Sequence, residues 1–415
     1  MDDRRRQRTL LWIGLLYFSE GFPFGIVNDC LPVYFRTAGV SLRDIGLLSL
    51  LGLPWSLKVL WSPLIDRFGE RRHWILACQV GMALVLISLP LFPAGQIGWA
   101  LRALLLTFTA FSATQDVAVD AYTIGVVPRG REGPANSVRV MAYRVALIVG
   151  GGGLVALATF LPWRILFWIG TLILVALAAV AWRAPRVRVS EAERRALFRP
   201  LLNWLRRSSA VPVLVFVLIY KLADASMGPM VKPFWIDRGL SPAEIGLIST
   251  TIGVLATIAG AVLGGIWVNR FGIFHSLWAL GLLQAGSNLG YAAVAQFDLP
   301  RGFLYGASIF ESFSGGLGTA AFLSFLMNIC EKEHAAVQYA LLSALFGLSR
   351  SVAGGVSGWG AERLGYASYF GLTFLLAFPA YALLPWVRSW VRGRLGVTAT
   401  SSSGNTRAST RPRQR

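Results

Sequence analysis

Apolar segments of roughly 20 residues, the length an α-helix needs to cross a bilayer, recur along almost the whole chain. We place twelve of them, at residues 10–35, 45–64, 74–92, 99–122, 137–160, 165–182, 211–235, 245–268, 276–296, 303–328, 335–359 and 367–386. Only 14% of the residues are charged, against about 25% in a soluble domain. Because backbone groups in hydrocarbon must be satisfied within their own segment, the sequence predicts an all-α integral membrane protein with twelve transmembrane helices.

Arginine is concentrated in alternate loops and in both terminal regions. Residues 183–207 contain eight Arg, whereas residues 93–98 contain none. Loops rich in Arg and Lys stay on the cytoplasmic side, so we expect a multi-pass protein of the cell inner membrane with both termini in the cytoplasm. This distribution explains the net charge of +19 without a nucleic-acid partner. The first segment has no cleavage site after it and is expected to remain as a helix.

Two short sequences recur about 200 residues apart. DIGL at 44–47 corresponds to EIGL at 244–247, and DRFG at 66–69 corresponds to NRFG at 269–272. We therefore predict two six-helix pseudo-repeats, with an N-terminal bundle at 1–183 and a C-terminal bundle at 210–390. A basic cytoplasmic linker at 184–209 would join them, and residues 391–415, rich in Ser, Thr and Arg, would form a disordered cytoplasmic tail.

Charged residues inside the apolar segments are unevenly distributed. They occur in the first, second, fourth, fifth, seventh, tenth and eleventh segments, whereas the third, sixth, ninth and twelfth contain none. A charge within a bilayer costs about 2.5 kcal/mol or more, so these residues should face a protein interior or a water-filled path. This distribution and the repeat resemble the major facilitator superfamily. In that family, spans 1, 4, 7 and 10 line a central cavity, and spans 3, 6, 9 and 12 face lipid.

Three segments are similar to a narrower group within that superfamily, the muropeptide permease (AmpG) family and its acetyl-CoA transporter relatives. They are SEGFPFG at 19–25, GVSLRDIGLLSLLGLPWSLKVLWSPLIDR at 39–67 and QDVAVDAY at 115–122. The resemblance implies proton-driven import of N-acetylglucosaminyl-anhydromuramyl peptides across a bacterial inner membrane. The family usually has another Asp shortly after the second carboxylate of the third segment, where this chain has Thr123-Ile124-Gly125.

The candidate proton-coupling residues lie in the first, second, fourth and fifth segments. Asp116 and Asp120 are four residues apart and share a helix face. Glu20 lies near the middle of the first segment, and Lys58 and Arg144 lie at depths similar to that of Asp116. We expect Asp116 to pair with one of these cations and Glu20 to join the same network. The alternative is a static ion pair that fixes the helix bundle. For Asp120, the alternative is a cytoplasmic gate or a helix-end contact.

The C-terminal half offers a second set of candidates, for a substrate cavity. Lys221 and Asp224 are three residues apart, roughly on one helix face. Glu311 and Arg350 lie at similar depths and could form a pair, or the guanidinium could hold an anionic group of the substrate.

The ends of the segments hold candidate gates. Asp66, Arg67 and Arg270, in the repeated loop sequence, are candidates for a cytoplasmic gate. Asp29 and Lys232 lie nearer the outer ends of their segments and could form an external gate or simply contact water.

These features predict a secondary transporter with a small-molecule solute and protons as partners, embedded in the bilayer as a monomer. The alternatives are a permease for another solute (a siderophore, a peptide-like compound, an acyl-CoA or a drug) and a membrane-embedded transferase. We do not expect an enzyme, because the only long loop is the Arg-rich one and it has no catalytic set. No cofactor or metal site is predicted.

Overall fold

The computed structural model describes residues 3–67, 70–127, 132–185, 210–330 and 335–388, and the regular secondary structure in these ranges is helical. We call residues 3–185 the N-terminal part and residues 210–388 the C-terminal part. The helices, in chain order, are α1 (Gln7–Thr37), α2 (several short turns at 42–67), α3 (Arg71–Leu91), α4 (Trp99–Val126), α5 (Gly133–Leu157), α6 (Trp163–Arg183), α7 (Val211–Asp237), α8 (Pro242–Phe271), α9 (Ile273–Gln296), α10 (Arg301–Ile329), α11 (335–364) and α12 (366–382).

The predicted all-α membrane fold is confirmed. Eight helical stretches of the described chain are long and apolar enough to cross a membrane, and one of them, Gln338–Ala382, contains both α11 and α12. Gly365 separates these two helices with a φ of 73°, a left-handed conformation that glycine adopts without strain. The other three predicted segments, α2, α4 and α9, are also helical, and α2 is broken into short turns.

Two of the helices that carry candidate residues are interrupted beside them. Lys58 begins a 3₁₀ turn within α2, between the helical turns Leu53–Leu57 and Ser62–Arg67. In α7 the helix stops at Ile219 and resumes at Leu222, so Lys221 occupies the break. A break of this kind redirects a side chain and frees backbone polar groups, and it is tolerated in a membrane only where protein or a water-filled cavity surrounds it.

One end of the helix bundle holds the short turns at 38–41, 92–98, 158–162, 238–241 and 297–300, and we call it the short-loop end. Hydrogen bonds connect these turns. The Ala243 N–H donates to Thr159 Oγ1 (2.8 Å), and Arg301 donates to the Gly239 carbonyl (3.1 Å). The N-terminal and C-terminal parts therefore meet at this end.

The repeated sequences make equivalent contacts in the two parts. Ser41 accepts a hydrogen bond from the Asp44 N–H (3.1 Å) and Ser241 accepts one from the Glu244 N–H (3.2 Å), so each begins its helix with a side-chain cap. The carboxylates of Asp44 and Glu244 also pair with arginines at the starts of α4 and α10. These pairs are Asp44–Arg102 (2.6 Å) and Glu244–Arg301 (3.3 Å).

Glycines of α2, α5, α8 and α11 bring the two parts close together. A Cβ on Gly46 of α2 would lie 2.6 Å from the backbone nitrogen of Gly358 in α11, and Gly246 of α8 packs as tightly on Gly152 of α5. Small residues allow helix backbones to approach in this way in a membrane. These two contacts join the N-terminal and C-terminal parts on either side of the bundle.

Candidate functional site

An ion pair between α2 and α4 lies at the centre of the predicted proton site. Lys58 Nζ is 3.4 Å from Asp116 Oδ2, and the Asp116 side chain is only 7% exposed against 31% for Lys58. The second carboxylate oxygen, Asp116 Oδ1, is buried and has no hydrogen-bond partner among the described residues. Of the two cations predicted to pair with this carboxylate, the structure therefore selects Lys58.

The second carboxylate of α4 has different partners. Asp120 Oδ1 accepts a hydrogen bond from the Tyr17 hydroxyl (2.7 Å) and lies 3.2 Å from the guanidinium of Arg139. That guanidinium also stacks over the Tyr17 ring, 4.6 Å from its centre. Asp120 is thus held by α1 and α5 together, in an arrangement that fixes its position.

Glu20 of α1 completes what we call the N-terminal cluster, which consists of Glu20, Lys58, Asp116, Asp120 and Arg139. Its side chain is buried, and Oε2 has no hydrogen-bond partner among the described residues. On the same helix, Tyr17 donates to Asp120, and the Ser19 carbonyl accepts from Gln115, the residue before Asp116. The expectation that this glutamate shares a network with Asp116 stays a prediction.

Two polar contacts hold α1 and α2 in register with α4. Gln115 donates to the carbonyl of Ser19 (2.8 Å), one residue before Glu20. Trp61 donates its indole N–H to Thr114 Oγ1 (3.1 Å), three residues beyond Lys58. Neutral hydrogen bonds therefore connect α1 to α4 next to Glu20, and α2 to α4 next to the Lys58–Asp116 pair.

The C-terminal part contains a smaller group, the C-terminal cluster, which consists of Lys221, Asp224 and Gln284. Lys221 Nζ is 3.2 Å from Asp224 Oδ2. Gln284 of α9 bridges the pair, since it accepts from Lys221 and donates to Asp224. The Lys221 side chain is 7% exposed, so this cation is buried with its charge compensated.

One predicted pair does not form. Arg144 forms no ion pair with any described residue, and neither does Arg350, so the expected Glu311–Arg350 pair does not form. Glu311 instead accepts a long hydrogen bond from Ser312 (3.4 Å). Arg144 was the alternative to Lys58 as the partner of Asp116, and Lys58 occupies that position. Similar depth in two helices is not sufficient for contact, because each helix also has to present its side chain toward the other.

Ion pairs between α1 and α7 close the short-loop end. Lys232 donates to Asp29, and farther out Arg36 binds Asp237 through two hydrogen bonds of 2.6 Å each. Tyr366 of α12 donates to the same Asp237 carboxylate (2.6 Å). Sequence analysis anticipated the Asp29–Lys232 contact but not the outer pair.

The candidate gate at the opposite end is only partly described. The side chain of Asp66 lies outside the described part of the structure. Arg67 is exposed, and Arg270 is exposed with its guanidinium 5.3 Å from the centre of the Phe271 ring. The gating role of all three residues stays a prediction.

Comparison with known proteins places the chain in a family. A sequence model of the Major Facilitator Superfamily matches residues 13–223. The anhydromuropeptide permease of Escherichia coli strain K12 is 33% identical over 391 residues, an alignment that covers 91% of this chain and 79% of the permease. The chain belongs to the major facilitator superfamily. The similarity to the muropeptide permease family, first seen in three short segments, thus extends over most of the chain.

Two further comparisons agree with this membership. The putative transporter AmpG 4 of Rickettsia conorii is 28% identical over 401 residues, which cover 92% of this chain and 97% of that one. The crystal structure of a bacterial homologue of the human lysosomal transporter Spinster superposes with a TM-score of 0.73, at 14% identity, over 94% of this chain and 98% of that chain. At that identity the second likeness concerns the fold alone.

Three residues of this polar network were not among the candidates predicted from the sequence: Tyr17, Arg139 and Gln284. Arg139 was detectable as a charge near the start of the fifth segment, at the depth of Asp120. Tyr17 precedes Glu20 by three residues and therefore shares its helix face. Gln284 is an uncharged polar residue in an apolar segment, which a count of charges alone does not register.

Proposed function

We propose that this protein is a proton-coupled importer of anhydromuropeptides in the cell inner membrane. It would have twelve transmembrane helices in two six-helix halves, residues 1–183 and 210–390, that rock about a central site. Both termini would lie in the cytoplasm. Membership of the superfamily and the similarity to an anhydromuropeptide permease support this assignment.

The observation that carries the proposal is that one short stretch of α2 holds both the ion pair and a contact between the halves. Lys58 binds Asp116, while Ser56, two residues earlier, packs on Gly347 of α11. Four residues before Ser56, Gly52 packs on Ser351. A change in the ion pair therefore acts directly on the surface where the two halves meet.

Protonation of Asp116 supplies such a change. A proton on the carboxylate removes its negative charge and leaves Lys58 without its counter-ion, so the attraction between α2 and α4 weakens. Glu20, buried close by, is a second carboxylate that can take up a proton. Asp120 is held by Tyr17 and Arg139, and we assign it a positioning role.

The closed short-loop end supports alternating access. Pairs between α1 and α7 join the halves at that end, and the predicted topology puts it on the outer side of the membrane. The structure would then represent the inward-facing state. Opening to the outside would require the Arg36–Asp237 and Asp29–Lys232 pairs to break, and these two pairs are the proposed outer gate.

The test is uptake of labelled anhydromuropeptide into proteoliposomes that are acidic outside and alkaline inside. Wild-type protein should accumulate the solute while the gradient lasts. Asp116→Asn should lose accumulation but keep the exchange of labelled for unlabelled solute, because exchange needs solute binding and rocking without net proton movement. Asp298→Asn is the matched control, since its side chain is 86% exposed at the short-loop end.

The outcomes separate the parts of the proposal. If folded wild-type protein shows no uptake and no exchange, the solute assignment is contradicted. Uptake that ignores the proton gradient contradicts coupling. Gradient-driven accumulation that is equal in Asp116→Asn and wild type removes Asp116 from the coupling path.

A further inference from the structure

Two arginines in the interior of the helical segments, Arg144 and Arg350, have no carboxylate partner among the described residues. The other cations in the interior of the helical segments all pair with Asp, and they are Lys58, Arg139, Lys221 and Lys232. Arg144 of α5 is half-buried and Arg350 of α11 is exposed, and neither pairs with any described residue. A guanidinium at membrane depth is costly unless water or an anion satisfies it.

The two arginines come from opposite parts of the protein. Arg144 follows Tyr143, the first of a row of aromatic rings that leads to Trp55 of α2. Arg350 immediately precedes Ser351, which packs on Gly52 of α2. The pair therefore lies where the N-terminal and C-terminal parts face each other, beside the contact between α2 and α11.

A row of aromatic rings leads from Tyr143 toward the same contact. The Tyr143 ring is 6.1 Å from that of Phe24, which in turn lies 5.2 Å from the ring of Trp55. All three side chains are half-buried. Trp55 immediately precedes Ser56, which packs on Gly347 of α11. An apolar, aromatic surface of this kind suits one face of a sugar ring, next to a pair of positive charges.

We infer that Arg144 and Arg350 form a binding subsite for a carboxylate group of the transported solute. A guanidinium presents two parallel N–H donors that match the two oxygens of a carboxylate. One arginine from each half would contact the same anionic group, so that binding draws the halves together. The inference rests on the proposed function, since a muropeptide carries peptide carboxylates on a sugar.

The test measures equilibrium binding to purified protein of an anhydromuropeptide and of the same compound with its carboxylates amidated. Wild type should prefer the carboxylate form by about tenfold or more, the size expected for a charge-assisted pair. Arg144→Gln and Arg350→Gln should each reduce that preference by about tenfold. Both should leave binding of the amidated form unchanged. Arg164→Gln is the control, because Arg164 is exposed and stacks over Trp168 at 4.8 Å.

Lysine variants guard against a loss caused by misfolding. Arg144→Lys and Arg350→Lys keep the charge and should retain part of the carboxylate preference. An unchanged preference in both glutamine variants, or equal binding of the two compounds by wild type, would overturn the subsite. Binding of neither compound by wild type would contradict the proposed function itself, and the subsite would fall with it.

Discussion

At the scale of single residues, the two clusters differ in what compensates each charge. In the N-terminal cluster a direct pair, Lys58–Asp116, leaves one carboxylate oxygen without a hydrogen bond from the described residues. In the C-terminal cluster Gln284 bridges Lys221 and Asp224 and leaves the pair saturated. A saturated pair resists a change of charge, so the N-terminal cluster is the better place for a proton to bind and leave.

Removal of one partner of the N-terminal pair should cost more than removal of both. Lys58→Met leaves the Asp116 carboxylate buried without its cation and should lower the free energy of unfolding by about 1–3 kcal/mol. Adding Asp116→Asn to this variant should restore much of the loss, because the amide is neutral. Thermal unfolding in detergent measures the effect. If the two losses simply add, the two side chains are not coupled in the folded protein.

The bridging amide provides a second prediction at this scale. Gln284→Leu should destabilise the protein by about 1–3 kcal/mol, because Lys221 and Asp224 each lose a buried hydrogen-bond partner. Gln296→Leu, at the end of α9, is a matched control and should change the melting temperature little, since Gln296 is exposed. Equal melting temperatures for Gln284→Leu and wild type would show that the bridge does not form.

The charged residues could be predicted from the sequence, but their pairing could not. A charge in an apolar segment stands out, and Asp116 and Lys58 were identified this way. Which cation meets which carboxylate depends on helix rotation and tilt, and those are set by packing that one sequence does not reveal. Arg144 was therefore kept beside Lys58 as a possible partner of Asp116, and Arg139 was overlooked.

At the scale of helices, the sequences that recur in the two parts make equivalent contacts. The caps at Ser41 and Ser241 and the glycines 46 and 246 occupy equivalent places at the short-loop end. This could be expected from the sequence match at an offset near 200. The fragmentation of α2 was not expected, because apolar periodicity does not distinguish a continuous helix from one broken by Gly52, Pro54 and Lys58.

A methyl group at one of these glycines should loosen the short-loop end. Gly46→Ala puts a Cβ 2.6 Å from the Gly358 backbone, so α2 and α11 must separate. Spin labels at Ala38 and Arg363, both exposed, should show a longer or broader distance distribution than in wild type. Gly228→Ala is the control, since nothing lies within 4 Å of a Cβ at that position. An unchanged distribution in Gly46→Ala would show that this contact does not set the spacing.

At the scale of the whole molecule, the N-terminal cluster, the contact between the parts and the proposed outer gate lie on connected helices. Helix α1 carries Glu20, Asp29 and Arg36, and α2 carries Lys58 and the glycines that face α11. The general architecture was predictable from segment length, loop charge and repeat. The conformational state was not, because the proposed alternating access requires one sequence to support both an inward-facing and an outward-facing form.

The outer gate should respond to charge. Arg36→Asp should shift the protein toward the outward-open state, because like charges then face each other across α1 and α7. Adding Asp237→Arg should restore closure by reversing the pair. Labelling of a cysteine introduced at Asn28, at the depth of the Asp29–Lys232 pair, by a membrane-impermeant reagent from outside reports the change. Equal labelling in Arg36→Asp and wild type would remove this pair from the gate.

Solute and protons should move together through the N-terminal cluster, and parallel recording of both in one sample tests this coupling. Proteoliposomes with no membrane potential and an internal pH-sensitive dye receive external anhydromuropeptide. The solute should enter wild-type vesicles with simultaneous internal acidification. In Asp116→Asn, solute exchange should persist without acidification. Solute entry into wild-type vesicles without any change in internal pH would rule out proton coupling.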